Sequence, residues 1–242
     1  GVELTIRTTK EPFNDIRMRR ALFQALNPWI LNTWIWGDMA VVGSGLPIGD
    51  PEWLISDTEW RKSLNNASEA QDVLSKLKAI GTPVEVVVAD YGEQYVTYGR
   101  GVVEQLREGG FDASIELVLP REHKMQVMES GQYMVSLAPP FPINTPNAFM
   151  FGVLHSNGQA NHTGYRDVNL DRFIVDQSRE LDPKVRRRQI LQIQRHIVDH
   201  AVRFMPAAHI QIWAWWPRVM NFYPNFANYE YSFWSRVWVQ DQ

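Results

Sequence analysis

Tyr133-Met134-Val135-Ser136-Leu137-Ala138-Pro139-Pro140-Phe141-Pro142-Ile143-Asn144-Thr145-Pro146 is the stretch on which the fold turns. After the turn residues Ser130-Gly131 it opens as a short apolar run, which reads as a buried strand. Pro139, Pro140 and Pro142 then remove backbone donors and fix φ, so no regular ladder continues past Ala138. A strand ends in a stiff loop at its carboxyl end. In open α/β sheets that is where ligands bind.

The residues upstream give this strand its neighbours. Val84-Glu85-Val86-Val87-Val88 reads as a strand, residues 93 to 108 as a helix closed by Gly109-Gly110, and Ala113 to Val118 as a second strand. Pro120 opens a helix to Ser130. Strand–helix–strand–helix–strand order predicts parallel pairing with right-handed crossovers. Earlier still, Leu4 to Thr8 alternates as a strand, and Asn14 is the expected N-cap of a helix with a basic side. Pro28 starts a short helix to about Trp36, which Gly37 stops. Residues 37 to 56 read as a long loop whose glycines do not fit a dinucleotide fingerprint. Ser68 is the expected cap of a helix that Gly81 ends. Downstream of Pro146 come a helical turn, a polar loop from His155 to His162, helices over 168 to 180 and 182 to 203, and a strand from Met205 to Trp213. An aromatic tail fills 217 to 242.

At 242 residues and 45% hydrophobic, the chain can bury a substantial core. The net charge of -3, with basic residues dispersed, shows no nucleic-acid footprint. The lack of cysteine excludes disulfides and thiolate metal sites, and no apolar run reaches membrane-spanning length. Ten tryptophans stand out. Such rings serve either as core packing or as stacking platforms for a ligand.

Catalytic patterns are missing. No serine sits in a nucleophile elbow, and no carboxylate pair has spacing that argues for acid–base work. His196 and His200 stand at i, i+4, a metal-compatible spacing. With no third ligand evident in sequence, they read as a solvated helix face. His155 and His162 flank the polar loop, taken to face the same end as the prolines, either as ligand contacts or as plain loop residues. The reading is of an α/β binding domain, not an enzyme, with no cofactor and no metal.

Three segments carry a family resemblance. Thr8-Thr9-Lys10-Glu11-Pro12-Phe13-Asn14-Asp15-Ile16-Arg17-Met18-Arg19-Arg20-Ala21-Leu22 is similar to an N-T-x-x-x-P-F-N-D-x-R-V-R-Q-A-L run. Gly164 to Asp171 is similar to a Y-x-N-P-E-V-D segment before two helices. Met205-Pro206-Ala207-Ala208-His209, followed by Pro217 to Phe222, is similar to I-P-L-Y-H and R-x-x-V-K-G-F. Together they resemble the extracellular solute-binding proteins of ABC importers, family 5, which includes oligopeptide-, dipeptide- and nickel-binding proteins.

The resemblance implies a periplasmic-binding-protein-like (type II) lobe, with a mixed, mostly parallel sheet flanked by helices. It implies the second lobe of a two-lobed protein at 1 to 216, hinge strands near 4 to 8 and 210 to 217, and a tail from 217 to 242 that packs on the first lobe. Partners would be a peptide or sugar solute and an ABC permease, and the protein would be an extracytoplasmic monomer; the alternative is a sensory binding module with the same fold. Candidate ligand contacts are Trp34, Trp36, Trp53, Phe141 and Trp213 by stacking, with Leu137, Ala138, Pro139, Pro142 and His155. In peptide-binding members the matching strand runs into W-x-A-D-Y-x-x-P, whose Asp pairs with the peptide amine. Here Pro139 stands at that Trp and Pro142 at that Asp. A buried ammonium without a counter-charge is strongly disfavoured, so the expected solute is one not anchored by a free amine.

Overall fold

A computed structural model of the chain describes residues 1–143, 145–209, 213–223 and 234–240. β1 (Val2–Ile6) is buried along its whole length. α1 (Ile16–Ala25) is capped by Asp15 rather than Asn14. The Asp15 carboxylate accepts the Arg17 N–H and pairs with its guanidinium, a role the Asn14 amide does not take. α2 (Pro28–Trp36) has Asn27 as cap, Pro28 in the first turn, and Gly37 in the left-handed region at φ 55° as its stop.

The stretch expected to be a loop holds an edge strand, β2 (Ala40–Gly43), and a 3-10 turn at Pro51–Trp53. α3 (Asp57–Trp60) starts in a Ser56/Glu59 capping box. α4 (Ala67–Lys76) is capped by Asn66, not Ser68. The Asn66 side chain accepts from Glu69 N while the Ser68 hydroxyl donates to Asn66 Oδ1. It ends before Gly81.

β3 (Pro83–Ala89), α5 (Glu93–Glu108) and β4 (Asp112–Val118) follow as expected. α6 (Pro120–His123) continues as a π-helical turn over Lys124–Glu129 before β5 (Val135–Ala138). α7 (Pro146–Phe149) likewise passes into a π turn at Met150–Leu154. α8 (Val168–Arg179) and α9 (Pro183–Asp199) lead to β6 (Arg203–His209), which starts earlier than the sequence suggests. In the tail, β7 (Val219–Met220) pairs antiparallel with β8 (Trp238–Val239). No helix is long and apolar enough to cross a membrane, among the described residues.

The main sheet has the order β2-β6-β1-β5-β3-β4. β3 runs parallel to β4 and to β5, so the chain between them builds parallel pairs. β1 lies antiparallel between β5 and β6, and β2 closes the far side antiparallel to β6. The sheet is therefore mixed. Period-2 alternation splits its contacts between two layers. Leu4, Val86, Val88, Val135 and Leu137 join α1, α2, α4 and α5 in the larger apolar cluster. Val87 packs instead with Val118, Val127 and Tyr133 under the π turn after α6. A further cluster unites α7, α8 and α9 through Phe149, Leu170, Ile174, Ile190 and Ile193.

That second layer also covers a polar stripe. Glu3, Thr5, Ser136 and Arg203 are all buried there. Glu3 pairs with Arg203, whose guanidinium sits 5.1 Å over the Phe149 ring. His123 Nε2 lies 2.7 Å from Ser136 Oγ.

The hinge expected near residues 4 to 8 falls on the end of β1 and the turn after it. Of the one expected at 210 to 217, residues 210–212 lie outside the described residues. Within the tail, residues 224–233 and 241–242 also lie outside them.

Candidate functional site

The register of the sheet decides which segments meet. Ala138 faces Glu3, Val2 faces Ala207, and Ala40 faces His209. Ala89 and Val118 end β3 and β4 side by side. One edge of the sheet thus gathers the carboxyl ends of β3, β4, β5 and β6 with the starts of β1 and β2. Pro139 and Pro140, both half-buried, leave this edge directly after β5.

The end of α2 arrives at the same edge, because it leads straight into β2. Trp34 is 79% exposed there. Trp36 is half-buried and leans on Tyr98, with ring centroids 5.2 Å apart. Leu137 is 1% exposed and belongs to the core, so it supports the edge from beneath. Ala138 is buried beside the first proline, while Pro142 is exposed.

The structure adds residues that the sequence reading passed over. Tyr91 follows β3 and is 54% exposed; its ring lies 5.7 Å from that of Tyr95. Tyr95 donates from its hydroxyl to the Gly1 carbonyl at 3.0 Å, and burial, then Tyr91, raises its pKa. Leu119, directly after β4, is exposed. The signal was available: these residues occupy the position after a strand that singled out Pro139. Asp90 and Asp38 supply exposed carboxylates at this edge. Asp90 Oδ1 accepts the Gly92 N–H, and Asp38 Oδ1 accepts the Thr33 hydroxyl.

Other candidates are carried elsewhere. The proline loop turns back on itself, with Ile143 N donating to Phe141 O at 2.8 Å. Phe141 borders a depression of about 170 Å³ lined by Arg7, Met128, Glu129, Ser130, Gly131 and His162, among others. Arg7 continues β1 beyond Ile6, so this depression lies toward the opposite edge. His162 thus meets the proline stretch at Phe141, in this depression, rather than at the strand end by Pro139. Its carbonyl accepts from Arg7 Nη1 at 2.6 Å and from the Tyr133 hydroxyl at 3.1 Å, which ties it to the end where β5 begins. Burial pulls its imidazole pKa down.

Trp53 packs against the α8–α9 cluster, and its carbonyl accepts from Gln194. His155 stacks on Phe151 and accepts the Asn157 N–H, so it organises its own turn. Trp213 packs edge-on against Phe222, which also meets Trp215 and Trp234.

The histidines of α9 depart from expectation. His196 and His200 are half-buried rather than solvated. They stack at 4.1 Å and converge with Asp167, so the acidic ligand not evident in sequence is supplied by the cap of α8.

The proline edge offers flat apolar and aromatic surface with a few carboxylates around it. That chemistry suits stacking and hydrogen bonding to a solute.

No family model matches the sequence, and no relative was found among curated proteins. Solved structures do share the fold. An ABC transporter substrate-binding protein, CtaP of Listeria monocytogenes, superposes with TM-score 0.75 at 16% identity, covering 86% of this chain and 43% of that one. The binding protein AgaA of A. tumefaciens R10, in complex with agropinic acid, gives 0.74 at 14% identity, over 100% of this chain and 50% of that one. Haemophilus influenzae OppA, in complex with the peptide RPPGFSPFR, gives 0.72 at 14% identity, over 98% and 48%. The chain spans about half the length of these structures.

Proposed function

We propose that this chain is one lobe, the carboxyl-terminal one, of a solute-binding protein of family 5 that serves an ABC importer outside the cytoplasm. The observation that carries the reading is the proline edge. In a fold shared with substrate-binding proteins, Pro139, Pro140, Trp34, Trp36 and Tyr91 collect at the carboxyl ends of parallel strands. In this reading the edge forms one wall of a cleft. A second lobe supplies the other wall, and the solute is held when a hinge closes and shifts a pre-existing equilibrium. The tail from 217 onward packs on that second lobe. The loaded protein then docks on a membrane permease. The residues gathered at the edge stack and position; none is asked to do chemistry.

The solute follows from what the edge presents. Position 142 carries proline in place of the carboxylate that peptide-binding members set against an amine. The surface is aromatic and apolar, with carboxylates on its flank. A solute gripped by ring stacking, such as an oligosaccharide or a peptide without a free amine, fits this better than one gripped by its ammonium.

The test uses the complete protein that carries this chain, purified without denaturation. Native mass spectrometry reads any solute carried along. Tryptophan fluorescence then follows titration with mannohexaose, a nonapeptide, and the same nonapeptide acetylated at its amine. Saturable binding of one solute per protein is expected, with the acetylated peptide at least as good as the free one. Absence of any carried or titrated solute would remove the transport reading. Binding of only the free-amine peptide would remove the solute assignment and leave the transport reading in place.

A further inference from the structure

We propose that Asp167, His196 and His200 form a binding site for a first-row divalent transition ion, with Zn²⁺ the best fit, stapling the start of α8 to the end of α9. The donor atoms of these side chains all lie within 4.8 Å of one another. His196 Nε2 and Asp167 Oδ2 are 3.4 Å apart. Ligands about 2.0–2.1 Å from a tetrahedral zinc ion stand roughly 3.4 Å from each other, so this pair already has the spacing of one edge of the tetrahedron. Full tetrahedral contact asks the third donor to move by at most about 1.4 Å from this arrangement.

The surroundings prepare each donor. His200 Nδ1 lies 2.8 Å from the His196 carbonyl. A carbonyl only accepts, so Nδ1 carries the proton and Nε2 keeps its lone pair, the second hydrogen bond typical of a metal-bound histidine. Asp167 Oδ1 accepts the N–H groups of Asn169 and Leu170, which fixes the carboxylate and leaves Oδ2 turned to the histidines. The Tyr165 hydroxyl donates to that Oδ2 at 3.2 Å and sits 3.2 Å from His196 Nε2. It orients the carboxylate. Phe173 meets the His196 ring edge-on and Tyr165 packs against both imidazoles, so the site has apolar walls. The charge balance is mixed: Asp167 and the neighbouring Asp199 favour a cation, while Arg19, bonded to the carbonyls of Phe13 and His200, opposes one.

Two imidazoles and one carboxylate select zinc, nickel or copper over calcium or magnesium, which take all-oxygen shells. The site is separate from the proline edge. Ile6 donates to Val202 O and Thr8 to Thr163 O, so the residues beside the cluster pack beyond the carboxyl end of β1, at the opposite side of the sheet. Its role is to lock two helices, and it stands or falls independently of the solute reading.

Titration of the chelator-treated full chain with Zn²⁺ by calorimetry tests this. One ion per chain is expected, with a melting temperature that rises on zinc addition, and at least about tenfold weaker binding in H200Q and in D167N. Co²⁺ should give the visible absorption of a tetrahedral N/O site, lost in the same variants. Because Asp167 also caps α8, H200Q is the decisive variant; should it fail to fold, H196Q replaces it, with circular dichroism as the control. No stoichiometric zinc, or zinc binding equal in wild type and the histidine variant, overturns the proposal.

Discussion

Replacing His123 by glutamine and following stability against pH isolates the effect of one buried imidazole. His123 is 4% exposed and lies 2.7 Å from Ser136 Oγ, on the polar stripe beneath the π turn. Burial, and then His162, pushes its pKa from 6.5 down to about 4. The folded chain therefore holds it neutral, while the unfolded chain takes up the proton more readily. Its contribution is fully present above the unfolded pKa and is lost as pH falls from 6.5 through the folded value. With those two values, linkage gives a loss of about 2 kcal/mol by about pH 5, and about 3 kcal/mol once both states are protonated. Urea unfolding at a series of pH values reads this directly. Wild type should lose about 2 kcal/mol more than H123Q between about pH 7 and pH 5. His196, which burial also pushes down and which does not act on His123, tilts both curves alike and drops out of the difference. Curves that stay parallel for the two proteins would refute the argument, because then the buried His123 carries no proton penalty.

Glu3→Gln should cost about 3–5 kcal/mol in urea unfolding, since it leaves the Arg203 charge buried without its partner, and Glu3→Gln with Arg203→Met should recover much of that loss. Gly99→Leu should destabilise by about 1–3 kcal/mol or more, because a Cβ there would stand 2.6 Å from Val88 Cγ2, where α5 packs on β3; thermal melts check it. Trp34→Ala and Tyr91→Ala, both exposed at the proline edge, should weaken solute binding by about tenfold each, as loss of a stacking ring costs about 1–2 kcal/mol, while leaving the melting temperature unchanged. Phe141→Ala, at the far depression, should leave solute affinity within about twofold in the same fluorescence titration.

The legibility of the fold varied with how much of each signal was local. α5 was readable to the residue, because a glycine begins it and Gly109-Gly110 closes it around an apolar stripe. The parallel pairs of β3 with β4 and β5 were readable because both faces of β3 are buried, which shows as an unbroken valine run. β2 was not readable. It has four half-buried or exposed residues among glycines and prolines, and it is a strand only because β6 pairs with it from far along the chain. The caps were misplaced by one or two residues where two polar side chains competed, as at Asn14 against Asp15 and Asn66 against Ser68. At the site, the rule that ligands meet strand ends led correctly to Pro139 as a strand end. Periodicity alone did not lead to Tyr91 and Leu119, nor to Asp167 beside the α9 histidines. Those meetings depend on register and on helix packing, which leave no mark in the order of residues.

The placement of β1 has a consequence for the order of assembly. It is a central strand, yet it precedes the other strands of its sheet in sequence, while its two neighbours, β5 and β6, come from Val135–Ala138 and Arg203–His209. During synthesis Val2, Leu4 and Ile6 must wait, unpaired, while β3 and β4 can already form a local parallel pair with α5 across them. Closing the sheet spans almost the whole described main sheet in sequence, which is the slow kind of contact for a folding chain. The last strand of this sheet in chain order also delivers Arg203 to Glu3, so a nascent chain keeps one bare carboxylate in its future core until the sheet is complete.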